Sequence, residues 1–350
     1  MALPIIVYGS YGYTGQLIIE ECKARGLDVI LSGRNADALK KQSAASGFPF
    51  QTVDLENKQA LCALLEKGSL VIHAAGPFQF TANAMVAACL QTKRHYTDIT
   101  GEIFVFEMMA KLDARAKEAG ITLMPGTGFD VVPSDCLALY LKNRLPSATH
   151  LQLAFASNKG GLSRGTSKTM IEGMGLGGAI RKNGKIIPVP LHEGITEINY
   201  GPFQIASVRI PWGDVSTAFY STGISNIEVF RGADKNLIKQ VKMSRYLNWL
   251  LRMRAVKNYL GKQIDKKPAG PNEERRVKSK MFLWGKAGDG QHEKISLLQT
   301  VEGYTLTAKT SVLIAQKILS GNSKAGFQTP SMAFGADLIM EIEGSSRTDF

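Results

Sequence analysis

The sequence predicts an α/β fold, a doubly wound parallel sheet joined to a second α+β domain. Three observations predict it. An apolar run, Ile5-Ile6-Val7-Tyr8, breaks into glycines at Gly9, Gly12 and Gly15. Short apolar runs then alternate with helix-like segments as far as Pro125-Gly126. Beyond about Thr149 the rhythm changes to stretches in which apolar and polar residues alternate. The first two patterns belong to strand–helix–strand crossovers, the third to half-buried strands.

The stretch Gly9-Ser10-Tyr11-Gly12-Tyr13-Thr14-Gly15 is a tight strand-to-helix turn of the kind that lays a dinucleotide pyrophosphate on a helix N-terminus. Gly9 permits the turn, Gly12 the approach of phosphate, and Gly15 close packing of helix on strand. The spacing is G-x-x-G-x-x-G, so a glycine-rich hairpin is the competing account of these residues alone. A helix over Gln16–Cys22 and a second strand over Leu27–Ser32 supply the context a nucleotide-binding crossover needs. Where NAD-binding units carry an acid for the ribose hydroxyls, this chain has Gly33-Arg34. A guanidinium with Ser32 beside it suits a 2′-phosphate through charge-assisted hydrogen bonds, so the expected cofactor is NADP.

Further strands are expected at Phe50–Val53, Leu70–Ala75, His95–Asp98 and Ile121–Met124, six in all. Helices are expected at Leu61–Leu65, Ala82–Leu90 and Phe104–Ala119. Ligands bind at the carboxyl ends of such strands. Asp54, which closes the third strand, is counted with the cofactor set, as are Ala75, Gly76, Pro77 and Phe78 at the end of the fourth. Asp98 and Glu102 follow the fifth strand, where Glu102 is read either as a substrate-binding carboxylate or as the start of a helix. Asp130, in the loop after the sixth strand, is the candidate for orientation or acid–base work, with a local Asx turn as its alternative. Asp135 is read as a helix-start residue.

The domain boundaries read from these patterns are 1–148 for the nucleotide domain and 149–300 for the second domain. Residues 301–350 are expected to pack back on the first. In the second domain, strands are expected at Leu151–Ala156, Phe203–Ile210 and Ile227–Phe230, with helices at Arg164–Met174, Asn236–Leu260 and Thr305–Leu319. Arg164 and Thr166 open a predicted helix and are candidates for binding an anionic or carbonyl group of substrate, or for plain capping.

Composition bounds the rest. The chain has 350 residues, 44% of them hydrophobic, enough for two cores. Cys22, Cys62, Cys89 and Cys136 are far apart, and the five histidines show no metal-ligand spacing, so reduced thiols, a cytoplasmic setting and no metal are expected. Between Lys235 and Lys280 fourteen Lys and Arg face Asp265, Glu273 and Glu274, which concentrates eleven of the twelve net positive charges there. Such a stretch suits an anionic partner. Interleaved Leu237, Ile238, Val241, Leu247, Trp249, Leu250, Val256 and Tyr259 allow a lid, a dimer interface or a peripheral membrane contact. Nucleic acid ranks last, for want of a nucleic-acid-binding signature. None of the ten tyrosines has a lysine four residues on, which excludes the Tyr-x-x-x-Lys dyad of short-chain dehydrogenases.

Taken together, Tyr8–Gly15, Ala74-Ala75-Gly76-Pro77-Phe78, His95–Glu102 and Pro125–Asp130 resemble the saccharopine dehydrogenase-like family, in the branch that includes the trans-acting enoyl reductases. Ser163–Thr166, Thr300–Tyr304 and Gly326–Pro330 resemble the second domain of that family. The resemblance implies a Rossmann domain, a second domain that also builds a homodimer contact, and NADP-linked redox chemistry, and it leaves the substrate open. The leading expectation is an NADPH-dependent reductase that passes hydride to a C=C or C=N bond of a small-molecule substrate, acyl or acidic being the classes the basic stretch suits. Two other readings stand beside it: a non-enzymatic NADP-binding sensor or membrane-surface scaffold, and a saccharopine dehydrogenase proper.

Overall fold

In the computed structural model the chain is described over residues 3–159 and 161–350, without the side chains of Ser244, Arg245 and Leu247. Leu247 therefore lies outside the described residues. Two units divide the chain: 1–132 with 304–335, and 133–303 with 336–350.

The first unit opens with β1 (Ile5–Tyr8), α1 (Tyr13–Ala24), β2 (Val29–Gly33), α2 (Ala36–Ser46), β3 (Phe50–Thr52), α3 (Lys58–Leu65), β4 (Leu70–His73), α4 (Phe78–Thr92) and β5 (His95–Asp98). It continues through α5 (Ile103–Ala110), α6 (Asp113–Ala119) and β6 (Thr122–Met124). Every residue of β1, β2 and β4 is buried, as in a parallel sheet covered on both faces. Asn35 and Asn57 cap α2 and α3 by accepting from the N–H groups of Ala38 and Ala60.

The second unit takes α7 (Val132–Arg144) from Pro133 onward, then β7 (His150–Ser157), α8 (Arg164–Gly173), β8 (Gly178–Lys182), β9 (Lys185–Val189), β10 (Ile195–Asn199) and β11 (Gln204–Arg209). There follow α9 (Asp214–Thr222), β12 (Asn226–Gly232), α10 (Lys235–Leu251), α11 (Arg254–Asp265), α12 (Glu273–Lys278), β13 (Lys280–Gly288) and β14 (Glu293–Val301). The chain returns to the first unit for α13 (Gly303–Leu319), β15 (Gly326–Phe327) and α14 (Pro330–Phe334), and ends in the second with β16 (Ser346–Asp349).

Among the described residues the first sheet runs β15-β6-β5-β4-β1-β2-β3, parallel throughout. The second runs β10-β11-β12-β7-β13-β14-β16, with β8 and β9 attached beside β12. Among the described residues only β12 and β7 pair in parallel there; the other pairings are antiparallel. Its core gathers Ala154, Ala156, Tyr200, Phe230 and Phe282. Leu137 and Leu141 of α7 pack on Gly285 of β13, where a Cβ would lie 2.6 Å from Leu141.

The architecture matches the fold class read from sequence, but the second unit also holds β8, β9, β10, β13, β14, β16, α9 and α12, which the sequence patterns do not predict, and further details differ. The first sheet has a seventh strand, β15, because Asp113 accepts the Phe327 N–H at 2.9 Å and ties that segment to the edge beyond β6. The same Asp113 starts a separate helix, so the helix expected over Phe104–Ala119 is broken into α5 and α6. The helix expected over Asn236–Leu260 breaks at Arg252-Met253, where Met253 turns extended and Arg252 Nε donates to the Gly175 carbonyl. Finally, α7 falls in the second unit rather than before a boundary at 148, since it packs on β13. Residues 336–350 go there too, because β16 pairs with β14.

Candidate functional site

The parallel sheet of the first unit places the ends of β1, β4, β5 and β6 along one edge, so the loops after them are neighbours. The order changes direction beside β1 and β4, the switch point where such sheets bind ligands. The contact there is close. A Cβ on Gly9, which has φ +83°, would lie 2.8 Å from the Ala75 Cβ. A Cβ on Gly15 would meet the Gly9 carbonyl oxygen and lie 2.7 Å from that of Ser10. Both positions therefore require glycine on steric grounds.

Among the described residues no side chain caps the start of α1 at Gly12, so the N–H groups of its first turn suit an anion. Ser10 is fully buried, and its hydroxyl donates to the Gln42 side chain at 2.8 Å while Gln42 Nε2 returns a bond to the Ser10 carbonyl. Ser10 thus secures the loop to α2. Ser32 is also buried, with its hydroxyl on the Gln51 carbonyl at 2.8 Å, so its side chain faces β3. The Tyr11 ring lies over Gly33, where a Cβ would be 2.5 Å from its edge. Arg34 is exposed just beyond. Tyr8 donates to the Val53 carbonyl at 3.0 Å, and burial together with Asp54 pushes its hydroxyl up to about 12. Asp54 itself is exposed and makes a local turn by accepting from the Glu56 N–H. Tyr13 packs edge-on to Tyr304 of α13, with ring centroids 5.1 Å apart.

At the next strand end the chain turns through a cis Gly76–Pro77 bond into α4. The Thr81 hydroxyl donates to the Ala75 carbonyl at 2.8 Å, so His73 Nε2, 3.0 Å away, is the donor to Thr81. Burial depresses the His73 ring to about 3, so it is neutral. Phe78 stands edge-on to that ring.

Three carboxylates gather beyond this turn. Asp98, fully buried, accepts from the Tyr96 hydroxyl at 2.7 Å and from the N–H groups of Gly126 at 2.8 Å and Thr100 at 3.0 Å. Its carboxyl is nonetheless raised to about 7, because burial outweighs those bonds. Glu102 accepts from the N–H groups of Phe78 at 2.7 Å and Gln79 at 2.8 Å, which caps α4 from the neighbouring loop. Burial raises its carboxyl as well. Asp130 is partly exposed and has no hydrogen-bond partner among the described residues. It lies against Gly101, where a Cβ would be 3.0 Å from the Asp130 Cβ. Burial first, and the Glu102 charge second, raise the Asp130 carboxyl to about 7.

The loop that carries Asp130 is held from α13. Thr307 accepts from the Phe129 N–H at 2.9 Å, and Thr310 donates to the Thr127 carbonyl at 2.7 Å. Sequence reading missed Gln42, Thr307 and Thr310. Arg164 and Thr166 belong to the second unit. There Ser163 caps α8 by accepting from the Thr166 N–H, and Asp265 pairs with Lys168 at 2.6 Å while its carbonyl accepts from Arg164. Asp135, in the first turn of α7, is buried and bonded to Ser221.

A comparison with known protein families matches residues 5–124 to the saccharopine dehydrogenase NADP-binding domain. The rat saccharopine dehydrogenase-like oxidoreductase is 28% identical over 53% of this chain and 50% of its own length. A Mycobacterium tuberculosis protein named as a candidate trans-acting enoyl reductase is 31% identical over 48% of this chain and 43% of its own. The matched stretch thus spans about half the length of these relatives or less. The solved apo structure of yeast saccharopine dehydrogenase (L-Glu forming) shares the fold over the whole of both chains, with a TM-score of 0.71 and 15% identity. The glycine loop, the uncapped start of α1 and the cis-proline turn thus lie inside the stretch that matches the saccharopine dehydrogenase NADP-binding domain, and about half of the chain is similar in sequence to saccharopine dehydrogenase-like oxidoreductases.

Proposed function

We propose that the protein is an NADPH-dependent reductase that saturates a C=C or C=N bond of a small acyl or acidic substrate, with Asp130 delivering the proton. The state of the Asp130 carboxyl carries this reading: it sits at the ligand edge of the sheet, reaches solvent, and is raised to about 7. A group poised near working pH is protonated often enough to donate and strong enough to do so.

Bound NADPH supplies the hydride; the chain supplies binding, orientation and electrostatics. The Gly9–Gly15 loop and the start of α1 would receive the pyrophosphate, Arg34 the 2′-phosphate, and the turn at Ala75–Phe78 the nicotinamide half. Glu102 fixes that turn through Phe78 and Gln79. Asp98 fixes the approach to the Asp130 loop through Gly126. Asp130 then holds a proton for the atom adjacent to the carbon that receives hydride, and recovers it from solvent.

The test is a pair of measurements. NADPH titration of the purified protein should give a saturable complex, and Asp130→Asn should keep that affinity. Turnover of trans-enoyl thioesters or imine substrates, followed by NADPH fluorescence, should fall about 100-fold to 10,000-fold in the variant. Wild-type protein that does not bind NADPH overturns the whole reading. Full turnover in Asp130→Asn overturns the assignment of the proton. Saccharopine assayed with NADP in both directions separates a saccharopine enzyme from a reductase of acyl chains.

A further inference from the structure

The most basic part of the chain also carries its densest exposed apolar surface. On α10, Met243, Tyr246 and Trp249 recur at three-residue spacing, and Met253 follows just beyond the helix. All four are exposed, Trp249 to 69%. Leu237, Ile238 and Val241, in the first half of α10, pack on Val208 and Ala233 of the same unit. The exposed stripe is therefore surplus to the core of that unit. Lys235, Lys239 and Lys242 fall on the same face as the stripe, all exposed and without a carboxylate partner among the described residues. The exposed residues of α11 add Tyr259 and Lys262, together with Arg254, which pairs with Glu172 at 3.3 Å. Among the described residues of α10 and α11 the one acidic side chain is Asp265, which Lys168 already neutralises.

We infer that this face of α10 and α11 docks the protein on an anionic phospholipid surface. Exposed Trp, Tyr and Met interleaved with lysines on one side of a helix are suited to the boundary between headgroups and acyl chains. Among the described residues no helix is long and apolar enough to cross a membrane, so the attachment is peripheral. A second copy of the chain fits less well, since a two-fold contact through this face sets Lys235, Lys239 and Lys242 against themselves. Nucleic acid accounts for the charge but leaves the Met and Trp stripe without a role. The inference is independent of the reductase reading, because no residue of the first unit enters it.

Flotation of the whole protein with vesicles tests it. Phosphatidylcholine vesicles containing phosphatidylglycerol should carry the protein at low salt, pure phosphatidylcholine should not, and added salt should release it. Lys239→Gln and Lys242→Gln should each lower the partition coefficient about fivefold. Trp249→Ala should lower it further and remove the fluorescence blue shift seen on anionic vesicles. Lys58→Gln, on the other unit, should change nothing. All these side chains are exposed, so unchanged melting temperatures verify the folds. No flotation with anionic vesicles overturns the inference, as does flotation indifferent to these substitutions. It is equally overturned by a solution dimer abolished by Trp249→Ala without vesicle binding, or by DNA binding that survives Trp249→Ala while vesicles are ignored.

Discussion

Glu102 caps a helix it does not belong to. Although it stands at the N-terminal boundary of α5, its two carboxylate oxygens accept from the N–H groups of Phe78 and Gln79 at the start of α4. Pro77 at that helix start has no side-chain acceptor to offer, and the neighbouring loop supplies one. The negative charge also suits the positive end of α4. The cis-proline turn and the loop after β5 are thereby tied into one rigid piece of the ligand edge.

Removing this tie should cost stability and cofactor affinity together. Glu102→Ala leaves two N–H groups without their charged acceptor, and we expect a loss of about 2 kcal/mol in chemical denaturation. Glu102→Gln, which keeps one acceptor oxygen, should lose less. NADPH affinity should fall in the same order, because the Ala75–Phe78 turn loosens. A Glu102→Ala variant as stable as the parent contradicts the capping role.

Stability should respond to pH with an unusual sign. Asp98 is raised from an ordinary 3.8 to about 7, and Asp130 likewise. Such carboxyls stay protonated in the fold at pH values where the unfolded chain has released their protons. Unfolding then releases protons, so stability falls as pH rises from about 4 to about 7 and levels off above. Carboxylates held low by ion pairs show the opposite slope. Melting curves across this range should show the decline, and Asp98→Asn, which can still accept from Thr100 and Gly126, should flatten part of it. A slope unchanged in Asp98→Asn would refute the assignment.

Cofactor choice should rest on Arg34. The residue is exposed just after β2, one position beyond Gly33, over which the Tyr11 ring lies. Loss of a charge-assisted bond to a phosphate costs about 1.5–3 kcal/mol, or roughly 10-fold to 150-fold in affinity. Arg34→Ala should weaken NADPH by that factor and leave NADH almost untouched, as read by fluorescence titration of both nucleotides. Ser32 should matter little as a direct ligand, since its hydroxyl is buried on the Gln51 carbonyl.

What the sequence disclosed, and what it withheld, follows from the range of the interactions. The glycine loop, the six longer strands of the first sheet and the NADP preference were legible because each is written in adjacent residues. Steric demand at Gly9 and Gly15 and burial of Leu70–His73 are local matters. The supports of the site were not legible. Thr310 reaches Thr127 across 183 positions, Gln42 reaches Ser10 across 32, and Glu102 reaches back 24 to Phe78. A Thr or a Gln within a helix has no spacing that announces such a partner. The Ser163–Thr166 pair illustrates the converse, since a capping pattern that also resembles an anion site is occupied by its own helix start and Asp265.

The contact of Gly101 with Asp130 provides the sharpest test of the proton donor. A Cβ at Gly101 would lie 3.0 Å from the Asp130 Cβ and 3.1 Å from Oδ2, closer than ordinary contact allows. The obstruction is a single side chain: its Cβ must give by a few tenths of an ångström, and its carboxyl, which reaches solvent, can turn aside. Gly101→Ala should therefore change melting temperature little while displacing the carboxyl from its place at the sheet edge. A shift of about 1 Å in a reacting group costs about 100-fold in rate. Turnover should fall by that order with NADPH affinity unchanged, and the pH at which turnover halves should move below about 7 as the carboxyl gains water. If Gly101→Ala keeps full turnover and the same pH profile, Asp130 is not the group that gives the proton.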